Sequence, residues 1–495
     1  MLFRSTAAIT TAANGNINLS SSGTLTVGAA VTAGGSGIVT LAATGAASDI
    51  LVNATTSSTS GAVNATAGQN ITLTNANIST SGAVNLTGVG TISEAGTAKV
   101  LGSSLLTTNS KGGQTLNGAN TVASFNATNI TSGNIALTNT AAPLTVTGIS
   151  QAGGDVTVIN TGALTTSTAA ITTAANGNIN LSSSGTMTLG AAVTAGGSGI
   201  VTLAATGATS DILVNAATSS TSGAINATAG QNITLNNADI STSGAVNLTG
   251  VGTISEAGTA KVLGSSLLTT NSKGGQTLNG ANTVASFNGT NITSGNIALT
   301  NTAAPLTVTG ISQAGGGNVT VINTGALTIT GALNANSGNV DLTTTGAGNA
   351  ITQNAAGVIT GTTLTLTTNN ASATLNAATN AITNLGGTTL GTGAVNLLDA
   401  SGLTVAGAVG ATGGVTLNTS GPLALNNTVN AGAGNVSLTT TGGAGSTITQ
   451  TGTGVITANT LTLNGAGDIT LTNAANNAAT LVMAGGNNEI GRAHV

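Results

Sequence analysis

Short runs of alternating apolar and polar residues recur along the chain, and each run opens with a glycine. The pattern is Gly, any residue, Ile or Val, any residue, then Leu or a similar residue. It occurs at Gly15–Leu19, Gly37–Leu41, Gly61–Ala65, Gly82–Leu86, Gly133–Leu137 and Gly154–Val158. A period of two predicts a β-strand with one buried face, and the glycine supplies the turn before it. Most neighbouring runs start in the low twenties of residues apart, a spacing typical of solenoid repeats.

One long stretch of the chain occurs twice, since residues 5–154 return as residues 167–316. The differing pairs are Leu25/Met187, Val27/Leu189, Ala47/Thr209, Thr55/Ala217, Val63/Ile225, Thr74/Asn236, Asn77/Asp239 and Ala127/Gly289. A closed globular core rarely accepts a second copy of itself, whereas a solenoid does, because each coil contacts only its neighbours. We expect the block to hold a whole number of coils, seven in preference to eight, so that its copy stacks in phase.

Residues 317–488 keep the same pattern in a more divergent form. Gly338–Gln353 returns as Gly434–Gln450, a shift consistent with four coils. The predicted fold is all-β: one continuous right-handed parallel β-helix over residues 6–488, with about twenty coils and no separate globular domain. At the β spacing of about 4.8 Å these coils would form a rod on the order of 100 Å long. Turns or strand starts are expected at Pro143, Pro305 and Pro422.

The two ends of the chain have an unusual relation to each other. Residues 1–5 can be encoded by GTG CTC TTC CGA TCT, and Glu489–His494 by GAG ATC GGA AGA GCA CAC. The reverse complement of the first string lies within the second and resembles a short-read sequencing adapter. We interpret residues 1–5 and 489–495 as adapter-derived and exclude them from the fold. We therefore expect the remaining chain to be a fragment of a longer protein.

Composition narrows the classes of function. Charged residues make up 3% of the chain, aromatic residues 1%, and the formal net charge is −4. So few cations and aromatic rings predict no nucleic-acid partner. The chain has no cysteine, which excludes disulfides and thiolate metal sites. No apolar run reaches the length of a membrane span, and none is expected.

Catalysis on a β-helix would need clustered carboxylates with a cation or a metal. The nearest approach to a cluster is Glu94 with Lys99, repeated as Glu256 with Lys261. We interpret each pair as a turn carboxylate beside a solvated lysine, a surface ion pair that contributes little. The sequence therefore predicts no catalytic residue, no cofactor-binding residue and no enzyme activity.

Other candidate sites have simpler explanations. Gly153-Gly154-Asp155 matches part of a calcium-binding solenoid repeat, but its copy lacks the carboxylate, so we interpret it as a turn and predict no metal site. Threonine triplets typical of ice-binding solenoids are taken as outer strand faces; they include Thr24–Thr26, Thr72–Thr74 and Thr363–Thr365. Phe125 and its copy Phe287 are expected in the core. Asn-x-Ser/Thr triplets such as Asn53–Thr55 and Asn64–Thr66 are expected mainly in turns and ladders.

A family resemblance follows from the stretches Gly82–Glu94, Gly338–Gln353 and Gly434–Gln450. Their shared pattern, Gly-x-Val-x-Leu followed by Ile-Thr-Gln and Leu-x-Leu, resembles the repeat region of filamentous-haemagglutinin-like secreted exoproteins and adhesins of Gram-negative bacteria. The resemblance implies a secreted or cell-surface location, two-partner secretion through an outer-membrane transporter, and contact with host or neighbouring cells. The family's N-terminal secretion domain has no counterpart in this sequence, and no site residues carry over from it.

Two hypotheses of function remain open. In the first, the chain is a structural rod segment of a large secreted or surface-displayed bacterial adhesin-like exoprotein, which holds or forms a cell-attachment surface. In the alternative, the solenoid binds a glycan or ice directly along a Thr/Asn-rich face. The first follows from the tandem coils and the absence of clustered reactive groups, and the second from the many outward hydroxyl and amide side chains.

Overall fold

The computed structural model describes residues 3–484, and every regular element in that range is a β-strand. Parallel strands stack as a β-solenoid of about 22 turns, which confirms the predicted all-β fold and coil number. The chain divides into two compact units. Unit 1 contains residues up to 250 with 257–260, and unit 2 contains 251–256 with the residues from 261 onward. Neither unit contains a separate globular domain in its described residues.

Unit 1 begins with coils of three strands, which stack in three columns. Column A contains Ile17–Ser21, Val39–Ala43, Val63–Ala67, Ala83–Gly88, Leu105–Ser110, Ser124–Asn129 and Leu144–Gln151. Column B contains Phe3–Ser5, Leu25–Val27, Ile50–Val52, Ile71–Thr74, Ile92–Ala95, Gln114–Asn120, Ile135–Asn139 and Val156–Asn160. Column C contains Ile9–Thr11, Val31–Ala33, Thr56–Ser58, Asn77–Ser79 and Lys99–Leu101. Residues 3–5, interpreted above as adapter-derived, pair with Leu25–Val27, whereas 489–495 lie outside the described residues.

Each glycine-led run identified in the sequence forms a strand at the expected place. In column A, Ile17 pairs with Val39 and Val39 with Val63, all three fully or almost fully buried. Within each strand the residue that follows, such as Asn18 or Thr40, points outward, as alternation along a strand requires. Partners in successive coils of unit 1 are from 19 residues apart (Leu106 and Phe125) to 25 residues apart (Leu25 and Ile50). A single coil has no second layer, so the aliphatic core forms only when coils stack.

The columns change identity where the copied block begins. Leu144–Gln151 is long enough to pair with two later strands: Leu144 pairs with Leu164, and Ile149 pairs with Ile171. Column A therefore continues as Leu164–Thr166, Met187–Leu189, Ile212–Val214 and Ile233–Asn236. A new column D contains Ile171–Thr173, Val193–Ala195, Thr218–Ser220 and Ile240–Ser241. Column B continues as Ile179–Ser183, Val201–Ala205, Ile225–Ala229 and Ala245–Gly250.

The expectation of a whole number of coils in the block is therefore wrong. Starting from Leu25, seven pairing steps along column B lead through Ile50, Ile71, Ile92, Gln114, Ile135 and Val156 to Ile179. Ile179 is the copy of Ile17, a column A residue. The copy of Leu25 is Met187, which lies in column A, paired with Leu164. The block thus spans seven turns plus one column.

The physical reason lies in the last coils of the block and in the chemistry of the core. From Leu105 to Asn160 each coil has two strands instead of three, and these coils are short. Seven turns therefore contain fewer residues than the block, so the copy does not begin in the column in which the original began. Nothing enforces closure, because aliphatic residues stack on one another in either column: Val156 pairs with Ile179 as readily as Val39 with Val63.

Unit 2 follows the same rules with more variable strand lengths. Its strands are Ile254–Ala257, Val262–Leu263, Leu267–Ser272, Gln276–Asn282, Ser286–Asn291, Ile297–Asn301, Leu306–Gln313, Val319–Asn323, Leu327–Ile329, Leu333–Asn334, Val340–Ala347, Ile351–Gln353, Ile359–Asn369, Ala373–Leu375, Ala381–Gly391, Ala394–Asp399, Leu403–Val405, Val409–Ala411, Gly414–Thr419, Leu423–Leu425, Val429–Asn430, Val436–Thr440, Ile448–Gln450, Ile456–Asn464, Ile469–Thr470 and Asn477–Met483. The long strands again pair with two columns, as Ile359–Asn369 does with the strands at Leu333 and Val340.

The second internal repeat also returns out of phase. Val340 is followed in its column by Leu364, Leu385, Val405 and Leu425. Val436, the copy of Val340, lies instead in the column of Ile351, Ala373, Val395 and Val415. The predicted four coils are therefore four turns plus one column. Pro143, Pro305 and Pro422 each directly precede a strand, as expected for a residue without an N–H group.

Candidate functional site

A groove of about 340 Å³ opens on the outer surface of unit 1 where column A divides. The outward side chains of Asn126, Thr128, Ser150 and Thr172 surround it, and Gly148 lies among them. Three successive coils contribute these residues, so hydroxyl and amide groups lie one coil spacing apart, about 4.8 Å. The groove falls at the lower end of the size range of small-ligand sites.

A β-bulge creates the groove. Phe125 pairs with Val146 but Asn126 pairs with Gly148, so Thr147 is an extra residue in its strand. Gly148 has a φ of +149°, and a Cβ atom there would lie 2.9 Å from the Cβ atom of Ala169. The space is therefore open because the residue at the bulge has no side chain. Sequence reasoning missed this site, although an eight-residue strand with an internal glycine was its signal.

Unit 2 contains the equivalent groove, with a volume of about 310 Å³. Asn288, Thr290, Ser312 and Asn334 take the places of Asn126, Thr128, Ser150 and Thr172. Asn334 lies outside the copied block, yet like Thr172 it has a hydrogen-bonding side chain. The lining of both grooves contains only neutral residues. The polar groups exposed in both grooves are hydroxyls and amides.

The sequence-based interpretation of Glu94 as a surface turn residue is wrong. Glu94 occupies an inward position of column B, in register with the buried Leu73. Its Oε2 atom accepts hydrogen bonds from the Gly118 N–H at 2.8 Å and from Asn120 Nδ2 at 3.2 Å. Its Oε1 atom is buried without a hydrogen-bond partner. Burial raises the pKa of Glu94 from the ordinary 4.5 to about 7, although hydrogen bonds from the Gly118 N–H, the Asn120 side chain and the Val100 N–H oppose this shift.

The copy of this arrangement in unit 2 has the same geometry. Glu256 Oε2 accepts hydrogen bonds from the Gly280 N–H at 2.7 Å and from Asn282 Nδ2 at 3.1 Å. In both copies the acceptor joins two coils through a backbone amide and an asparagine side chain. In unit 1 the carboxylate thus binds two residues of the irregular strand Gln114–Asn120.

Asp155 is a turn residue, as the sequence predicted. Its N–H donates to Asn134 Oδ1, and its own Oδ1 accepts from the N–H of Asn178 in the next coil. Asn318, near the equivalent place in unit 2, makes the same two bonds, with Asn296 and Asn339. An amide replaces the carboxylate without loss of geometry, so the position needs a hydrogen-bond acceptor and not a charge.

The side chain of Asp399, in unit 2, is fully buried. Its Oδ2 accepts from the Ile382 N–H at 2.8 Å, and its Oδ1 accepts from Ser401 N and Oγ. Burial raises the pKa of Asp399, and these hydrogen bonds oppose the shift. Asn139 in unit 1 accepts in a similar way from the N–H of Val122, which lies between two strands. This acid too supports the coil rather than a surface site.

Threonine triplets do not form a regular array. Thr26 pairs with Leu51, and Leu51 pairs with Thr72. Elsewhere outward threonines stack on successive coils, as at Thr307, Thr328, Thr352 and Thr374, but this row ends at Asn396. The predicted core positions of Phe125 and Phe287 are confirmed, since both side chains are fully buried.

Residues 3–484 contain neither a metal-binding cluster nor a membrane-spanning helix. No group of three or more His, Cys, Asp or Glu side chains lies close enough to hold a metal ion. No helix there is long and apolar enough to cross a membrane. Nor does any protein-family model, curated protein or solved structure match the chain.

Proposed function

We propose that this chain is a structural solenoid segment of a large secreted or surface-displayed adhesin-like exoprotein of a Gram-negative bacterium. In this role it holds or forms a cell-attachment surface and catalyses no reaction. The observation that carries the proposal is the use of the polar side chains: Glu94, Asp155 and Asp399 join one coil to the next. Ionisable groups that serve stacking are not available for chemistry on a substrate.

The surface of the solenoid supports the same role. Outward positions are mainly Thr, Asn, Ser and Ala, and each new coil adds the same kind of surface. Such a stack gains length without a change in its chemistry, which is what a spacer between a cell and its target needs. The proposed partners are host or neighbouring cells at one end, and an outer-membrane transporter that recognises a secretion domain elsewhere in the protein.

Sequencing of the native locus with long reads tests the proposal. We expect the reading frame to continue beyond residues 6–488 into a signal peptide and a secretion domain, beside a transporter gene. A frame that ends at these residues without secretion components would refute the proposed location. Circular dichroism of residues 6–488 tests the structural part separately, since a helical or disordered spectrum would refute the solenoid.

The paired grooves favour a second candidate function, the direct binding of a neutral glycan. The groove around Gly148 presents hydroxyl and amide groups from three coils and carries no charge. Binding to a glycan array that is lost on Ala169→Leu, which fills this groove, would support it. Ala13→Leu, at another exposed alanine, is the control. Ice binding is less favoured because the outward threonine rows are short: Leu51 separates Thr26 from Thr72, and the row that ends at Thr374 continues with Asn396.

A further inference from the structure

Asparagine followed by glycine is the dipeptide at which a protein chain most readily modifies itself. The glycine nitrogen attacks the Cγ atom of the asparagine side chain, and glycine has no Cβ atom to hinder this approach. The product, a cyclic succinimide, is opened by water to aspartate or isoaspartate. Six such pairs occur in the chain, and they begin at Asn14, Asn117, Asn176, Asn279, Asn288 and Asn464.

The pair at Asn14 is held by hydrogen bonds. Asn14 Oδ1 accepts from the N–H and the Oγ of Ser36 at 2.9 and 3.0 Å, and the Gly15 N–H donates to a backbone carbonyl. Asn176, the copy of Asn14, is held in the same way by Ser198. Both reacting groups of these two pairs are therefore fixed in a turn.

The pair at Asn117 is held differently. Asn117 and Gly118 lie in the irregular part of the strand Gln114–Asn120, where the register with the next coil shifts. The Asn117 side chain is exposed and forms no hydrogen bond with any residue in the described range 3–484. The Gly118 N–H donates to Glu94 Oε2 at 2.8 Å. A carboxyl oxygen is therefore within reach of the proton that the attacking nitrogen must lose.

Unit 2 contains a full copy of this arrangement. Asn279 is exposed, and the Gly280 N–H donates to Glu256 Oε2 at 2.7 Å. Each molecule therefore contains the arrangement twice, and either copy can serve as an internal control for the other.

No cation pairs with Glu94 within the strands next to it. These strands are Ile71–Thr74, Ala83–Gly88, Lys99–Leu101 and Gln114–Asn120, and Lys99 is their only ionisable residue. Lys99 points outward, since the following Val100 is buried. Burial therefore determines the pKa of Glu94, about 7, and above neutral pH this residue is a carboxylate of more than ordinary basicity.

We propose that Asn117 and Asn279 are sites of self-modification, with Glu94 and Glu256 as the general bases. The glutamate Oε2 atom takes the proton from the glycine N–H while the nitrogen forms a bond to the asparagine Cγ. The proton then passes through solvent to the side-chain amide, which leaves as ammonia. Water opens the succinimide to aspartate or isoaspartate. The reaction alters the chain itself and turns over no substrate, so the inference does not depend on the proposed function.

Peptide mapping of the full chain by mass spectrometry, after incubation at pH 8, tests this inference. Peptides that extend past position 127 or 289 distinguish the two copies, since Ala127 is replaced by Gly289. We expect isoaspartate and aspartate to accumulate at Asn117 at least about tenfold faster than at Asn14.

The variant Glu94→Gln provides a control within the same molecule. It should slow the reaction at Asn117 by at least about tenfold, because glutamine cannot take the proton of the Gly118 N–H. Asn279, beside the unchanged Glu256, should react as fast as in the parent chain.

The dependence of the rate on pH separates general-base catalysis from a tighter coil in Glu94→Gln. The parent rate at Asn117 should be nearly constant between pH 8 and pH 9, where Glu94 is already ionised. The rate in the variant should follow hydroxide and rise about tenfold over the same interval. A tighter coil would lower the rate in the variant without changing this slope in the parent.

Four outcomes would overturn the inference. They are an Asn117 rate no faster than that of Asn14, an Asn117 rate unchanged by Glu94→Gln, a parent rate that rises about tenfold between pH 8 and pH 9, and aspartate without isoaspartate as the product. Should Glu94→Gln lose its β spectrum, the pH profile and the products of the parent chain decide alone.

Discussion

Glu94 makes the stability of its coils depend on pH in an unusual direction. The folded chain holds the Glu94 proton with a pKa of about 7, against an ordinary 4.5. Protonation therefore favours the folded state. This contribution is complete below about pH 4.5 and is lost as the pH rises to 7, whereas most carboxylates of folded proteins act in the opposite direction. Above about pH 7 the coil must hold a negative charge at a largely buried position.

The size of the effect follows from the pKa shift. A shift from 4.5 to about 7 corresponds to at most about 3–4 kcal/mol. The carboxyl group is only partly buried, and solvent screening reduces the value to about 2 kcal/mol. Glu94→Gln resembles the protonated acid and keeps an oxygen acceptor for the Gly118 N–H. The variant should be more stable than the parent by about 2 kcal/mol at pH 8 and equally stable at pH 4.

Amide hydrogen exchange is the suitable assay because a stack of coils does not unfold as one two-state unit. After correction for intrinsic exchange, peptides that cover Ile92–Ala95 and Gln114–Asn120 should exchange roughly 30-fold more slowly in Glu94→Gln than in the parent at pH 8. Ser93→Ala, at the neighbouring outward position, is the control and should leave this ratio near one. Equal protection of Glu94→Gln and parent at both pH values would refute the assignment of a buried, proton-linked carboxyl group.

Three further predictions concern packing and stacking. Phe125→Ala should destabilise its coils by about 3–5 kcal/mol, since it empties a fully buried position, and Phe125→Leu should cost much less; hydrogen exchange of Ser124–Asn129 checks both. Asp399→Ala should destabilise its coils by about 1–3 kcal/mol because the Ile382 N–H loses its acceptor, and Asp399→Asn should also be destabilising because one oxygen cannot serve both the Ile382 and the Ser401 N–H groups; hydrogen exchange of Ala381–Gly391 checks both. Deletion of residues 155–316 joins Gly154 to Gly317 and should leave a soluble β-solenoid of unchanged thermal stability by circular dichroism, because each strand keeps neighbours it already has in one copy. A collapsed, aggregating product would contradict the independence of the coils.

Local pattern was sufficient to predict the strands and the coil length. The strand after Gly61 begins at Val63 and the strand after Gly154 begins at Val156, as alternation required. These predictions succeed because the inward residues of a strand are determined within five positions of sequence. The strand starts after Pro143 and Pro305 are equally local, since proline lacks the N–H group that a strand interior needs.

The route of the chain around each coil could not be predicted in the same way. Leu144–Gln151 contains the same residue types as shorter strands, yet it spans the columns of both Leu164 and Ile171. Which column a strand joins depends on the coil beneath it, and that information is not in the strand itself. The burial of Glu94 could not be predicted for a related reason. Its inward position is set by the register with Leu73, and a glutamate in a polar stretch gives no sign of burial.

Interchangeable columns also bear on what kind of function this solenoid can have. Ile179 pairs with Val156 in column B, whereas Ile17, the residue it copies, lies in column A. The outward side chains of the copied strand therefore lie on a different face of the solenoid. Duplication reproduces a ligand site made of outward residues from several coils only if all of those coils are copied. The copied site then lies on a different face from the original. A function that needs one continuous face, such as a regular threonine array, would be interrupted at each such change. A function that needs only length is unaffected by it.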